Sequence, residues 1–438
     1  MPELILADYL VTRSPEPPHS GWGVCIAGDR VVALGPHADL LRAYPEARQT
    51  WARGKAILPA LVNSHMHMYG VLAHGIPVSV AFQDFRGFLA DYWWPRVEDR
   101  LDHSLVAAAA AFACLEMIET GCTALCDILE GPNSIPGALD VEAEILEQAG
   151  LRGILSFEST ERISSENGRL GLRENAEFAR RQRRRTAPVQ GMQCVHTTFS
   201  CSPEFLRDAS FMARDEGIGL QLHISESAYE PQWCKQHYGV SPAQFYDSIG
   251  FWGEHVLASQ CVQMEPHELD ILRQRGVRVS HMPLSNCEVG GGVAPIPDML
   301  AQGIPVGIGT DGYINNMFEL MRGTFLIHKA HRQTAAVMPA SQVLELATAG
   351  GARAIGMPEL GALALGGPAD LITVSLDTPT PITPGNFYEQ MVLYRNPADV
   401  DLVIAAGRCL KRNGEVLALD AERVRAELKA AARRFWEL

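Results

Sequence analysis

Eight short apolar or β-branched runs punctuate this chain at intervals that leave room for a helix after each. They fall at residues 56–62, 123–128, 153–157, 192–195, 218–222, 256–258, 277–279 and 304–308. Strands buried on both faces, as in a parallel sheet, read as continuous hydrophobic stretches of this kind. Between them lie segments of helical periodicity, such as residues 141–148 and residues 204–216, the latter after the helix-start signal Ser202-Pro203. Eight strands alternating with helices predict an α/β fold of the (β/α)₈ TIM-barrel type, whose chemistry sits at the carboxyl ends of the strands.

The flanks are built differently. Residues 1–55 carry short strands and turns, as in the stretch from Trp22 to Gly35, and the same style returns from residue 361 in 369–374 and 403–408. The expected organisation is a small β-sandwich domain formed by both termini, 1–55 and 361–438, with the barrel at 56–360 inserted between them. Residues 421–438 read as an amphipathic terminal helix.

Composition narrows the function. A net charge of -14, with no Lys/Arg stripe interleaved with aromatics, argues against a nucleic-acid partner. The run Arg180 to Arg185 reads as the solvated end of a helix. The start Met1-Pro2-Glu3-Leu4-Ile5 lacks a signal-peptide pattern, and the longest apolar stretch, 105–115, is too short for a bilayer. No membrane association and a cytoplasmic location are therefore expected. The ten cysteines show no C-x-x-C pairing, and reduced core thiols are expected, with Cys122 and Cys126 in a buried strand.

The chemistry-bearing residues cluster at strand ends. His65 and His67 flank Met66 at the exit of the first strand, where side chains two apart point the same way. Later strands end near His196, His223, Gln260, His281 and Asp311. A lone histidine is usually a satisfied core or cap residue, but several at equivalent strand ends converge on one mouth. His65, His67, His223 and Asp311 make a donor set for one divalent metal ion, Zn2+ or alternatively Fe2+, with a position open for water. Such a metal acidifies its water toward neutrality. Glu226, three residues after His223, is spaced to move the proton; a helix first-turn carboxylate would show the same spacing.

The text around these positions resembles the amidohydrolase superfamily, in its cytosine/guanine deaminase and s-triazine hydrolase branch. The resemblance is carried by Leu58 to His67, by His196 to Glu204, by Leu222-His223-Ile224-Ser225-Glu226, and by Ser280 to Asn286. It continues through Gly292 to Ile296, Gly309-Thr310-Asp311-Gly312, and the segment Gly361 to Leu371. It implies a mononuclear site, substrate contact by His196, proton shuttling by Glu226, and a water-steadying role for His281 beside Asp311. Binuclear relatives bridge two metals with a strand-end lysine; none of the lysines here, at 55, 235, 329, 411 and 429, occupies such a position.

Three departures bear on activity. Where the family usually has histidine on the sixth strand this chain has Gln260, which exchanges hydrogen bonds but carries no proton at neutral pH. Tyr313-Ile314-Asn315-Asn316 replaces the usual small residues after Asp311-Gly312, and Ala60 replaces a glycine. Specificity is expected from the long segment 68–121, whose aromatics could cover the mouth or simply pack; Gln83, Arg86 and Trp93 are its candidate substrate contacts. Gly307, Gly309 and Gly312 spell Gly-x-Gly-x-x-Gly, but late in the barrel and around Asp311, which argues against dinucleotide binding. The cytidine-deaminase zinc signature is absent.

The expected function is a metal-dependent hydrolase, an aminohydrolase (deaminase) of a nitrogen heterocycle of purine, pyrimidine, pterin or triazine type. Displacement of chloride or alkylamine, or cyclic amide cleavage, is the alternative in the same pocket. A catalytically silent binding protein is the alternative from another class. The partner is a small-molecule heterocycle, and a homo-oligomer such as a homodimer is compatible with the sequence.

Overall fold

The apolar run at 56–62 is two strands rather than one. In the computed structural model, which describes residues 1–76, 84–185 and 187–437, Arg48–Pro59 ends one sheet and Leu61–Met66 begins another, with Ala60 alone between them. Residues on both sides of Ala60 are buried, so hydrophobicity carries no mark of the change.

Both termini build the first sheet, as expected. Its hydrogen-bonded order is Glu415–Val416, Arg408–Arg412, Val400–Ala405, Leu371–Ser375, Arg48–Pro59, Glu3–Leu10, Trp22–Ala27 and Arg30–Pro36, with His19–Ser20 added beside Glu3–Leu10. It is thus one continuous sheet rather than two separate ones. It bends over its own core: Ile5, Val24 and Ile26 from one half share an apolar cluster with Leu371, Leu402 and Ile404 from the other. The Val31 amide donates to the Gly367 carbonyl across the fold at 2.9 Å.

The remaining strands are all parallel to their neighbours. Leu61–Met66, Cys122–Leu129, Arg152–Phe157 and Val189–Gly191 form one sheet. Gln193–Val195, Leu220–Ile224, Val256–Gln260, Arg278–His281 and Val306–Ile308 form a second. Single bridges, Ser159 to Val195 and Met66 to Asp311, link the two sheets. The predicted strands at 218–222 and 304–308 start two residues late, because Ile218 and Ile304 lie in the approach and not in the ladder. Leu125, Leu155, Leu222, Val279 and Ile308 are fully buried, each contributing about 1.5–3 kcal/mol of apolar transfer free energy.

Helices cover the strands. Pro203–Glu216 and Ala138–Ala149 confirm the periodic segments, and Ala421–Trp436 is the terminal helix. Ser165–Arg185 ends in the arginine run, where Arg181 and Arg185 pair with Asp140 at 2.7 Å and Glu147 at 2.8 Å. The apolar stretch at 105–115, by itself too short for a bilayer, is part of a longer helix. It belongs to His103–Thr120, which length and composition alone would allow to cross a membrane. Its apolar character is explained by packing: Leu105, Val106, Leu115, Met117 and Ile118 are buried, and the helix sits between Ala138–Ala149 and Ala421–Trp436. All ten cysteines are free, eight of them buried.

Candidate metal centre and active-site cavity

Strand ends bring three histidines together. His65 lies on Leu61–Met66, His67 follows it directly, and His223 lies on Leu220–Ile224; one ligand atom from each falls within 4.8 Å of the others. Each ring is held through its Nδ1. That of His65 is 2.9 Å from Ser259 Oγ, that of His67 donates to the Ile128 carbonyl at 2.8 Å, and that of His223 donates to Glu158 Oε1 at 2.6 Å. Such hydrogen bonds fix the tautomer and leave Nε2 as the ligand atom. His65 Nε2 is buried with no hydrogen-bond partner, a cost that a cation would remove. Burial also holds His65 and His67 below the ordinary histidine range, and therefore neutral.

Asp311 completes the set. Its Oδ1 lies 3.4 Å from His67 Nε2 and accepts from the Gly312 amide at 2.7 Å, while Oδ2 accepts from Gln260 Nε2 at 2.6 Å. Burial opposes its ionisation, but His67, His65, His223 and the Gly312 amide outweigh it and hold the carboxyl below the usual range. Gly309 explains one glycine of the Gly-x-Gly-x-x-Gly run: a Cβ there would lie 2.5 Å from the His65 carbonyl oxygen. Three imidazoles and a carboxylate are a fitting donor set for a divalent cation.

A cavity of about 1060 Å³ opens over this cluster. Glu226 lines it, partly buried, with its carboxyl pushed up to about 8 by burial and by repulsion from Asp311. Gly291 packs so closely on the Glu226 backbone that a Cβ would lie 2.4 Å from its carbonyl oxygen, which pins the loop carrying the carboxylate. His196 also lines the cavity; its Nδ1 is 2.8 Å from Ser200 Oγ, and burial pushes the imidazole down to about 3. Gln260 and Trp93 reach the wall, Trp93 stacking on Phe88 at 5.8 Å.

The other candidates are placed elsewhere. Arg86 is not on the wall but stacks over the Trp94 indole at 4.8 Å. His281, like His65, is buried and not among the described lining residues, and its Nε2 lies 3.0 Å from His328 Nε2. Gln83 lies outside the described residues. The unusual run after Gly312 has a clear use: Tyr313 and Ile314 line the cavity, Asn315 donates to Glu116 at 3.1 Å, and Asn316 caps the helix Met317–Arg332.

Sequence reasoning missed the far wall. Glu130 and Glu158 stand just past the strands Cys122–Leu129 and Arg152–Phe157, and with Glu98, Tyr69 and Trp94 they line the cavity. Arg162 gathers them, bonding Glu98 at 3.1 Å and Asp99 at 2.7 Å, contacting Glu130, and stacking over Trp94 at 5.0 Å. Tyr69 donates to Glu98 at 3.0 Å. The signal was the strand-end rule itself, which applies to the second and third strands as well.

Known proteins fit this arrangement. The model of the Amidohydrolase family matches residues 56–410, and that of the bacterial imidazolonepropionase-like composite domain matches residues 23–47. The chain belongs to the amidohydrolase family. Among relatives of this amidohydrolase, the 5'-deoxyadenosine deaminase of Methanosarcina mazei is 34% identical over 386 residues, 87% of each chain. The 5-methylthioadenosine/S-adenosylhomocysteine deaminase of Pelotomaculum thermopropionicum is 30% identical over 434 residues, 98% of this chain and 97% of that one. A zinc-bound adenosine deaminase from Xanthomonas campestris superposes with a TM-score of 0.88 at 23% identity, covering 100% of this chain and 99% of the other. The resemblance read from the motifs therefore holds, as does the expected enzyme class, a hydrolase of non-peptide C–N bonds. Among the described lining residues of this amidohydrolase none is a lysine.

Proposed function

We propose that this amidohydrolase is a zinc-dependent aminohydrolase that deaminates a purine-type heterocycle, with adenine nucleosides as the leading substrates. The observation that carries the reading is the clustering of His65 with His67 and His223, the last two lining one cavity together with Asp311 and Glu226. The deaminases among its relatives and the zinc in a structural neighbour support it. We further read the two parallel sheets, linked by the Ser159 and Met66 bridges, as a closed barrel, and keep the division at 55 and 360 as the domain boundaries. Ten free cysteines support a reducing cytoplasmic setting, and no nucleic-acid or membrane partner is invoked.

His65, His67, His223 and Asp311 would hold the metal, which when bound supplies a water nucleophilic at neutral pH. The chain's residues do the rest. Trp93 offers a flat face to the ring, and His196, neutral and with its Nδ1 engaged, presents Nε2 to a ring nitrogen. Glu226 takes a proton from the attacking water and returns it to the departing amino group, a task suited to a carboxyl raised toward neutrality. Gln260 fixes the Asp311 carboxylate.

The test is ammonia release from a heterocycle panel by the zinc-loaded chain. Ammonia from an adenine nucleoside, lost on chelation and regained with zinc, is the expected result. Chloride or a ring-opened product without ammonia would refute the deaminase reading, and a metal-free, inactive chain would refute catalysis.

A further inference from the structure

We infer that the cavity admits heterocycles whose appendage is neutral or cationic and excludes those whose appendage carries a carboxylate. The inference rests on the aminohydrolase reading for which end of the substrate meets the metal cluster. Seven of the described lining residues bear carboxyl groups and none is arginine or lysine. Residues 77–83, Pro-Val-Ser-Val-Ala-Phe-Gln, bring no cation wherever they lie.

Of the two guanidinium groups near the wall, Arg162 is already committed to carboxylates. Arg162, whose side chain is only 6% exposed, is shared among Glu98, Asp99 and Glu130 and covers one region of Trp94. Arg86 stacks on the same indole, and although its Nη1 is buried without a partner it does not reach the lining. Once the reacting ring sits over His223 and against His196, we take its appendage to extend along the wall formed by Glu98 and Glu130, since Glu158 is bonded to His223 at the ring's own end. His196 adjoins Trp94, with ring centroids 6.0 Å apart, so this wall begins where the ring ends. A hydroxyl or ammonium group donates to these carboxyls. A substrate carboxylate would lose its water there and meet a wall that carries more carboxyl groups than cations, a poor exchange for a buried anion. Relatives act, by name, on 5'-deoxyadenosine and on 5-methylthioadenosine or S-adenosylhomocysteine; only the last bears a carboxylate. The wall assigns this chain to the uncharged members of that range.

The experiment uses the full zinc-loaded chain and three adenosine thioethers sharing ring, sugar and sulfur. Their tails are methyl, 3-aminopropyl, and the amino-acid tail of S-adenosylhomocysteine. Calorimetric binding to the Glu226→Gln chain separates affinity from turnover. The methyl and aminopropyl compounds are expected to bind, and S-adenosylhomocysteine at least about 100-fold more weakly, the order of loss for a carboxylate buried without a partner. A smaller gap overturns the inference, as does failure of all three to bind. Equal weakness of the aminopropyl compound also overturns it, since exclusion would then be by size. Glu98→Gln, which relaxes the hold on Arg162, should narrow the gap about tenfold; an unchanged gap in the folded variant overturns the electrostatic cause. Should Arg86→Ala remove measurable S-adenosylhomocysteine affinity, Arg86 is an anion site and the inference falls. If the methyl compound binds but the wild-type chain releases no ammonia from it, the deaminase reading fails while the binding ratio still decides the charge rule.

Discussion

Gln260 donates from Nε2 to Asp311 Oδ2 at 2.6 Å, while its own Oε1 is buried in the wall without a partner. An amide thus stands where the resemblance leads us to expect an imidazole, and it spends its donor on orienting the carboxylate proposed as a metal ligand. Gln260→Leu should lower zinc affinity about 10–100-fold, the range for loss of an outer hydrogen bond to a ligand, read by chelator competition. Gln260→His should keep affinity near wild type and add an ionisation to the pH dependence of kcat. Unaltered affinity in the first and an unaltered profile in the second would remove Gln260 from the reaction.

Glu226 makes no hydrogen bond to the histidines proposed as metal ligands, so its loss should leave a bound metal in place. Glu226→Gln is expected to retain zinc, measured by elemental analysis, and to lose about 10²–10⁴-fold in kcat. Turnover within a few-fold of wild type would mean that another group moves the proton.

Arg162 is the cation that pairs with Glu98, Asp99 and Glu130 among the described residues. Arg162→Met keeps the volume but strands these carboxyls, and should cost about 3–5 kcal/mol, as breaking buried ion pairs does. Urea unfolding checks this; a loss below about 1 kcal/mol would show that water reaches the cluster.

Two further carboxyls lie buried behind the metal cluster. Burial pushes Asp127 up to about 8, and burial with repulsion from Asp127 pushes Glu142 well above its ordinary range. Folding therefore favours their protonated forms. This stabilisation is fully present below about pH 4 and is lost as pH rises through about 8. In zinc-free protein, the urea midpoint should fall between pH 5 and pH 9, and less steeply in Asp127→Asn. The decline should persist in part, because Glu98 and Glu158 are pushed up as well. Equal slopes in both proteins would refute the assignment.

The floor of the site was legible and its far wall was not. His65, His67, His223 and Asp311 could be read because a period of two and the strand-end rule fix where such side chains point. Glu130 and Glu158 obey the same rule, but a glutamate leaving a strand is also the ordinary solvated loop residue. What holds Glu130 in the interior is Arg162, 32 residues beyond it and brought over it only by the fold, while Glu158 accepts from His223. Hydropathy likewise showed the strands but could not locate Ala60 as the seam between sheets, since both sides are buried for different reasons.

That seam has a temporal consequence. The strand bearing the histidine pair continues, through one residue, a strand whose flank is completed by Leu371–Ser375 and, beyond it, Val400–Ala405. A ribosome exposes His65 and His67 long before it has made those partners. The clamp is therefore set among the last events of biogenesis, and a nascent chain stalled before residue 371 should bind zinc poorly although all four proposed ligands have already been synthesised.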